Sequence, residues 1–346
     1  MSTVADGGAG DGATPGVTVV LACRDAVSTV ARTLDCLHAT SFRDFEVVLV
    51  DDASSDGTGE LLAEAGRTLP RATVLHLAEN VGVARARNAA LEYATGTYVW
   101  FVDADDSFGP EALGLMYAAA VDASADVVLG RALEVDARAG TSRIVDGLDR
   151  SAVLDLGQVC TAIAVGDVRG FLWSKLFRRA CLPVDPFPSV RSQSDFLGLM
   201  AVLDVASIFA VIPDVVYTYH RSNDSITTRS DLAGQLLACR EAFVALLTRR
   251  DVDVLKEDLA WFTGVLTYLA GADSILRAAP EGRSLSLVQL RGAAHDVTST
   301  TLRAVARRAP LTAARLAVAL LLPRCYTVLY AAARGARERV RSRRRR

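Results

Sequence analysis

Three carboxylates stand within four residues at Asp103-Ala104-Asp105-Asp106, directly after the apolar run Tyr98 to Val102. A run of aromatic and β-branched residues indicates a buried strand, whereas three acids cannot belong to its core. In open α/β sheets, ligands collect beyond the carboxyl ends of the strands. Mg²⁺ or Mn²⁺ commonly bridges one or two carboxylates to substrate phosphates. Asp103 and Asp105 are therefore candidate ligands of a metal-diphosphate site, and the alternative is a solvated acidic turn or a helix cap at Asp106-Ser107.

A second apolar run, residues 46–50, also ends in acids, Asp51-Asp52, and small polar residues follow it. A carboxylate at such a strand end can accept hydrogen bonds from a nucleotide base or from ribose hydroxyls. The structural alternative is that Ser55 or Asp56 caps the helix that begins near Thr58. Both interpretations can hold together, with Asp51 and Asp52 facing a crevice and Asp56 serving the turn.

Two cations, Arg85 and Arg87, lie near the start of a helix that the pattern predicts from Val83 to about Ala94. Cations are unfavourable at that end of a helix dipole unless an anion is also present. We therefore expect at least one of them to serve a phosphate or carboxylate, the alternative being an exposed surface arginine.

The order of strands and helices up to residue 130 alternates with short links, which predicts an α/β fold with a mostly parallel sheet. The loop after the first strand, Cys23-Arg24-Asp25, contains no glycine. This argues against a dinucleotide-binding turn and so against a dehydrogenase. Asp195 lies in the first turn of a later helix, where it complements the helix dipole or, if it faces the crevice, acts as a general base. The stretch from Arg131 to Gly166 shows no clear periodicity.

The charge is distributed unevenly along the 346 residues. Residues 331–346 hold eight Arg and one Glu, which leaves 30 basic and 39 acidic residues in positions 1–330. A basic tail beside an acidic body points to an anionic surface or polymer as a partner. The six cysteines form no Cys-x-x-Cys pair, which indicates reduced core residues in a cytoplasmic protein.

The chain becomes helical in pattern from about Asp231, and Leu311 to Ala333 is its most apolar part. Arg315, Pro323 and Arg324 interrupt that part, so it is too short to span a bilayer. Together with the Arg-rich end it fits an interfacial helix with a polybasic anchor for anionic lipids. The alternative is a helix packed on the body with a disordered basic end. Residues 1–16 are expected to form a flexible leader without signal-peptide features.

The motifs together resemble the family 2 glycosyltransferases of the GT-A fold, over roughly residues 17–228. The resemblance is carried by the strand 17–22, by residues 42–58 with their Asp51-Asp52, by residues 80–88, and by Val102-Asp103-Ala104-Asp105-Asp106. Trp173-x-Lys175-Leu176-Phe177, Asp195 and Tyr217-x-Tyr219-His220-Arg221 are similar to bacterial enzymes that build capsule, teichoic-acid and exopolysaccharide chains.

The resemblance implies a role for each matching position. It assigns the general base to Asp195 and the divalent metal, Mn²⁺ or Mg²⁺, to Asp105 with the help of Asp103. It assigns the nucleotide sugar, expected to be a UDP-sugar, to Ala22, Asp25, Asp52, Arg85, Asp103, His220 and Arg221. His220 and Arg221 would lie in a loop that closes over the diphosphate. The implied reaction is transfer of a hexosyl or N-acetylhexosaminyl group with inversion (EC 2.4) to a glycan or polyol-phosphate acceptor.

Two departures from the family pattern are visible. Cys23-Arg24-Asp25 replaces the usual Tyr-Asn, and Ser194 stands where an acid commonly precedes the catalytic Asp. Loss of that acid would lower the pKa of Asp195 by removing like-charge repulsion. The departures keep two alternatives open, a nucleotide-sugar-binding protein of low catalytic activity and a membrane-attached scaffold of the same fold.

These interpretations combine into one expected organisation. A flexible leader (1–16) precedes a GT-A glycosyltransferase domain (17–228), a C-terminal helical region (229–333) and a basic tail (334–346). The protein would act on a cell-surface glycan or its lipid-linked precursor, in the cytoplasm or peripherally at the inner face of the membrane. No nucleic acid partner is expected, and self-association is left open.

Overall fold

The computed structural model describes residues 3–6, 14–190, 192–221, 233–278 and 297–343, with the backbone alone for 3–6, 277–278 and 334–343. The chain forms two compact units. The first comprises Met1–Val159 and Asp167–Ser222, and the second comprises Cys160–Gly166 and Asn223–Arg346.

The first unit is built on one mixed sheet, to which ten strands of the described residues belong. The strands are β1 Thr3–Asp6, β2 Val17–Cys23, β3 Phe45–Asp51, β4 Ala72–His76, β5 Tyr98–Val102, β6 Val127–Asp136, β7 Thr141–Asp146, β8 Ala152–Leu154, β9 Lys175–Arg178 and β10 Phe209–His220. The helices that connect them are α1 Val30–Ala39, α2 Thr58–Thr68, α3 Val83–Leu91, α4 Ala112–Asp122, α5 Leu156–Val165 and α6 Ser194–Leu203.

The strand order is β1-β4-β3-β2-β5-β9-β6-β10-β8, with β7 paired to β6. Strands β4, β3, β2 and β5 run parallel, β9 is antiparallel to both β5 and β6, and β6 is parallel to β10. It follows that β2, β3, β5 and β10 all point the same way. Their carboxyl ends meet at one edge of the sheet, which brings Asp25, Asp52, Asp103 and His220 to the same side. The predicted α/β class with a mostly parallel sheet is confirmed.

Strand β5 lies between β2 and β9 and is buried along its whole length. Its residues are aromatic or β-branched and fit a pleated surface covered on both faces. Trp100 is fully buried, and its indole N–H donates to the carbonyl oxygen of Trp173 at 2.8 Å. A strand so fixed gives a rigid base to the acidic turn that follows it.

The structure differs from the sequence interpretation at two places. Residues 3–6, expected in a flexible leader, form a strand that pairs antiparallel with β4. Short edge strands carry little periodicity, so the pattern did not reveal it. Residues 131–166, which showed no clear pattern, contain the outer part of β6, strands β7 and β8, and helix α5. The exposed face of β7 explains the weak apolar signal there.

A buried ion pair stabilises the loop that leads into β9. The Lys175 ammonium donates to Asp146 Oδ2 at 2.7 Å and to the carbonyl oxygen of Phe171 at 2.8 Å, and both charged side chains are 1% exposed. Asp146 Oδ1 accepts from the backbone N–H groups of Gly147 and Arg169. These hydrogen bonds satisfy the buried charges, so the Lys of the Trp-x-Lys motif has a structural function here.

The second unit is helical, as predicted for the C-terminal region. Its core holds side chains such as Tyr268, Ile275, Val305 and Leu316. Besides the end of α5, its described elements are α7 Ala233–Arg249, α8 Lys256–Trp261, a π-helical segment Phe262–Leu269, α9 Ala270–Ala278, α10 Ser299–Arg308, α11 Pro310–Leu321 and α12 Pro323–Arg343.

One continuous helical stretch, Lys256–Leu276, is long and apolar enough to cross a membrane by length and composition alone. The apolar window of this stretch is 61% buried within the structure. Its side chains Tyr268, Leu269 and Ala272 belong to the core of the second unit. Burial of this kind is typical of a core helix.

Replacement of Asp146 tests the buried ion pair. We expect Asp146→Ala to lower the free energy of unfolding by about 3–5 kcal/mol, because the Lys175 ammonium is left buried without a counter-charge. The matched control is Arg143→Ala, which removes a surface ion pair with Glu134 and should cost under about 1 kcal/mol. Urea unfolding measures both, and equal midpoint shifts would contradict a stabilising function of the buried pair.

Candidate functional site

The turn Asp103–Asp106 at the end of β5 is clamped by helix α1. Thr33 Oγ1 lies 3.1 Å from the carbonyl oxygen of Asp103 and 2.9 Å from that of Asp106. The Arg32 guanidinium donates to the carbonyl oxygen of Asp105 at 3.1 Å. Since the backbone oxygens are engaged by α1, the carboxylates of the turn are left for other contacts.

Strand β10 holds the same turn from the other side. The backbone N–H of Asp103 donates to the Tyr217 hydroxyl oxygen at 2.9 Å. The Tyr217 ring stacks on Trp173 with centroids 4.8 Å apart, and Trp173 stacks in turn on Phe171 at 4.5 Å. This aromatic stack fixes the phenol, and through it the position of Asp103.

Arg87 connects the metal-site candidate to the general-base candidate. Its guanidinium donates from Nη2 to Asp103 Oδ1 at 2.7 Å and from Nη1 to Asp195 Oδ1 at 2.6 Å. The Arg87 side chain is 4% exposed. Burial lowers its pKa, but Asp195 and Asp103 outweigh burial and leave the pKa raised. The expectation that one of the two α3 arginines serves a carboxylate is therefore confirmed for Arg87.

Asp195 occupies the first turn of α6, as the sequence predicted. The Ser194 hydroxyl lies 3.3 Å from Asp195 Oδ1, the same oxygen that Arg87 contacts. Within the described residues, Asp195 Oδ2 makes no hydrogen bond, and the side chain is 27% exposed. One oxygen is thus anchored, and the other can receive a proton from a ligand.

Asp106 and His220 form a second pair beside the acidic turn. The backbone N–H of His220 donates to Asp106 Oδ1 at 2.8 Å, and its ring Nε2 lies 2.8 Å from the Ser107 hydroxyl. Asp106 is fully buried, and its Oδ2 has no hydrogen-bond partner in the described part of the chain. Burial, and then the charges of Asp103 and Asp105, raises the pKa of Asp106 to about 8. Burial and the Arg32 charge lower the pKa of His220.

The residues present fit a divalent cation bound together with a ligand. The Asp105 carboxylate is half-buried and makes no hydrogen bond or ion pair with another residue that the structure describes. Burial raises the pKa values of both Asp103 and Asp105, as expected where a cation would compensate the charge. No three His, Cys, Asp or Glu side chains converge on a metal position among the described residues. Two carboxylates with donor phosphates, a common Mg²⁺ arrangement, match this set.

The predicted nucleotide residues lie at the same sheet edge but have internal partners. Ala22 is buried in β2. Both oxygens of Asp52 accept backbone N–H groups, from Val81 at 2.7 Å and Gly82 at 2.9 Å. Asp25 Oδ1 accepts from the backbone N–H of Ser55 at 2.8 Å. Asp52 therefore fixes the loop that starts α3, and Gly82 adopts the positive φ of 85° that this loop requires.

Asp56 serves the turn before α2, although the N-cap residue of that helix is Gly57 and not Ser55 or Asp56. Its Oδ1 accepts from the backbone N–H of Thr58 at 3.1 Å, and its Oδ2 accepts from that of Val27 at 3.1 Å. The Thr58 hydroxyl bond, followed by these backbone contacts, lowers the pKa of Asp56. Asp51 is likewise engaged, by the backbone N–H of Ser54.

Among the described contacts, neither Arg85 nor Arg221 forms an ion pair with the turn Asp103–Asp106 or with Asp195. Arg85 is exposed and lines an open cleft of about 430 Å³ together with Asn88, Asp185 and Phe187. Arg221 directly follows β10, and its backbone N–H donates to the carbonyl oxygen of Val135. His220, predicted to lie in a loop that closes over a diphosphate, is instead the last residue of β10, and residues 222–232 lie outside the described part of the chain.

Sequence reasoning missed the contacts that assemble the site. In the sequence, Arg32 and Thr33 look like ordinary helix residues. Tyr217 belongs to a recognised motif, but no contact partner was predicted for it. Arg87 had a local signal, its unfavourable position near the start of α3, although the resemblance favoured Arg85. Asp103 and Asp195 are 92 positions apart in the chain, so their common partner is visible only in the fold.

Residues 18–149 match the family model described as glycosyl transferase family 2. The chain therefore carries a domain of the family 2 glycosyltransferases. EpsH of Bacillus subtilis (strain 168) is 28% identical over 171 residues, covering 49% of this chain and 48% of EpsH. ExoO of Rhizobium meliloti (strain 1021), a succinoglycan biosynthesis protein, is 28% identical over 245 residues, covering 66% of this chain and 68% of ExoO. The chain thus spans about half the length of the first relative and about two thirds of the second.

The crystal structure of S. aureus TarS 1–349 in complex with UDP-GlcNAc matches this fold with a TM-score of 0.67 and 21% sequence identity. The match covers 92% of each chain. The fold is GT-A-like, as the resemblance implied, and it includes the C-terminal helical region that the sequence pattern predicted.

Replacement of Arg87 tests the bridge. We expect Arg87→Met to lower the free energy of unfolding by about 3–5 kcal/mol at neutral pH, because two half-buried carboxylates lose their shared cation. The loss should be smaller at acidic pH, because burial raises the pKa of Asp103 and its protonation there removes the negative charge that Arg87 compensates. Urea unfolding in metal-free buffer at both pH values measures this. The exposed Arg85→Met is the matched control, and a pH-independent effect equal to that of the control would contradict the bridge.

Proposed function

We propose that this protein is an inverting glycosyltransferase (EC 2.4) that moves a sugar from a UDP-sugar to a hydroxyl of a cell-surface glycan or its lipid-linked precursor. The observation that carries the proposal is the Arg87 bridge between Asp103 and Asp195. It joins the candidate donor-binding acids and the candidate base in one site. The family 2 domain at residues 18–149 supports the same reaction class.

The donor is supported by the sheet edge and by the structural neighbour. TarS is described in complex with UDP-GlcNAc, so a UDP-sugar with a hexosyl or N-acetylhexosaminyl group is the donor we propose. Ala22, Asp25 and Asp52 lie on the loops beside the edge that would receive the nucleotide. Mn²⁺ or Mg²⁺ bound by Asp105 and Asp103 would neutralise charge on the departing nucleoside diphosphate.

The transfer step uses the two oxygens of Asp195 differently. Oδ1 is held by Arg87 and Ser194, and Oδ2 takes the proton of the acceptor hydroxyl. The acceptor oxygen forms a bond to the anomeric carbon while the bond from that carbon to the diphosphate oxygen breaks, which inverts the configuration. Arg87 orients Asp195, because its guanidinium donates to Oδ1 at 2.6 Å and leaves Oδ2 for the acceptor.

The acceptor proposal rests on the relatives. ExoO is a succinoglycan biosynthesis protein, which supports a polysaccharide acceptor for this chain. The open cleft beside Arg85 and Asn88 lies on the helix that carries Arg87 and offers polar groups to sugar hydroxyls. We place the reaction in the cytoplasm or at the inner face of the membrane.

Asp195→Asn tests the general base. We expect transfer to fall by roughly 10³-fold or more, because an amide cannot take the proton, while donor affinity changes by less than about threefold. Calorimetry with a panel of UDP-sugars and Mn²⁺ measures binding, and transfer of a labelled sugar to polyprenyl-linked and polyol-phosphate acceptors measures activity.

The exposed Asp214→Asn is the control for Asp195→Asn and should leave both quantities unchanged. Equal loss of binding and transfer in Asp195→Asn would contradict its assignment as base. Donor binding by the wild type without transfer or donor hydrolysis would favour the nucleotide-sugar-binding alternative.

Asp105→Asn tests the metal site. We expect donor affinity measured with Mn²⁺ to fall by about tenfold or more, toward the value that the wild type shows in EDTA, because one of two charged ligands is lost. Titration calorimetry with UDP measures the effect. If wild-type affinity is the same with Mn²⁺ and with EDTA, no metal acts at Asp103 and Asp105.

A further inference from the structure

Helices α11 and α12 bury one face and leave the other in solvent. Leu316, Ala319 and Tyr326 point into the core of the second unit. The outer face carries large apolar side chains that are 55% to 83% exposed, and we call this set the outer stripe: Leu311, Leu321, Leu322, Val328 and Leu329. So many exposed leucine and valine side chains on one helix pair indicate a surface that something apolar covers.

The spacing on α12 shows that the exposure is systematic. Cys325, Val328, Leu329 and Ala332 follow one another at the i, i+3, i+4, i+7 positions of one helix face, and all four are exposed. Helices with an apolar face of this width normally place it on a core or a membrane. Here the core is already contacted by the opposite face.

The orientation of the stripe is fixed by a polar cluster on the inner side. Tyr326 donates its hydroxyl hydrogen to Asp273 Oδ1 at 2.6 Å, and Arg315 donates to Asp273 Oδ2 at 3.0 Å. These contacts hold α11 and α12 against α9. Because they pin both helices to the second unit, the stripe is suited to lie on a surface and not to cross one.

The charge beside the stripe selects the kind of surface. Residues 331–346 contain eight Arg and one Glu, and the backbone of α12 remains helical to Arg343. Arg324 is also exposed next to the stripe. An apolar helix face followed by clustered arginines is typical of helices that lie in the interface of anionic membranes.

We propose that the outer stripe docks on an anionic lipid bilayer, with its leucine and valine side chains at the boundary of headgroups and acyl chains, and that the positive charge of residues 331–346 favours anionic headgroups. This inference is independent of the transferase reaction. It combines the two interpretations that the sequence left open, because the inner face of α12 packs on the second unit and its outer face is the membrane contact.

Cys325 provides a probe within the stripe. It is exposed, whereas Cys23, Cys160, Cys181 and Cys239 are buried. A thiol-reactive bimane attached to Cys325 in the full chain with Cys36→Ser should shift to the blue on phosphatidylglycerol-containing vesicles and be quenched by brominated acyl chains. Phosphatidylcholine vesicles should give neither effect. Equal signals on both vesicle types, or no quenching on either, would overturn the proposal.

Sedimentation of the unlabelled full chain with the same vesicles separates the apolar and charged contributions. Leu321→Asp with Leu329→Asp should weaken partitioning by roughly 100-fold, because burial of each leucine contributes about tenfold or more. Arg339→Gln, Arg341→Gln and Arg343→Gln together should weaken it by about 100-fold, and added salt should do the same. Val205→Asp, another exposed apolar position, is the matched control and should change partitioning by less than about twofold.

Folding of each variant is checked by circular dichroism and by binding of UDP. If the two aspartates leave vesicle binding unchanged in a folded variant, the stripe does not contact lipid. If the wild type binds no vesicles but forms a concentration-dependent dimer that these aspartates abolish, the stripe is covered by a second copy of the chain and the membrane proposal is wrong.

Discussion

The guanidinium of Arg87 is the group on which the arrangement of the site depends. Three carboxylates lie in the turn after β5 and a fourth begins α6, and burial alone would drive several of them to the neutral form. A buried, permanently charged cation lies between Asp103 and Asp195, at hydrogen-bond distance from both. Arginine suits this position because its planar fork can donate to two acceptors at once.

The bridge in turn depends on distant parts of the chain. Asp103 is held by Thr33 from α1 and by Tyr217 from β10, and Tyr217 is held by its stack on Trp173. The Trp173 loop is fixed by the buried pair of Lys175 with Asp146. Each contact removes freedom from a group that a transferase has to present in one geometry, and such preorganisation lowers the reorganisation that the reaction requires.

The second unit follows a different principle. Its core is apolar, and its polar contacts, such as those of Asp273 with Arg315 and Tyr326, join helices to one another. The excess of apolar side chains is on its outer surface, next to the most basic part of the chain. Exposure of these apolar side chains to water is unfavourable in free energy. An anionic lipid interface would bury them and attract the basic segment beside them.

The sequence by itself determined the α/β class, the strand that precedes Asp103, the helix whose first turn holds Asp195 and the basic C-terminal segment. These features are local, because apolar runs, helix starts and charge clusters are written in neighbouring residues. It also indicated that an arginine near the start of α3 contacts an anion, but it did not determine whether this arginine is Arg85 or Arg87. Only the tertiary structure decided that this arginine is Arg87, that its partners lie 16 residues ahead and 108 residues ahead, and that β9 runs against its neighbours. Such contacts depend on which strand ends share an edge of the sheet. The order of the strands in the sheet cannot be inferred from the hydrophobic pattern of neighbouring residues.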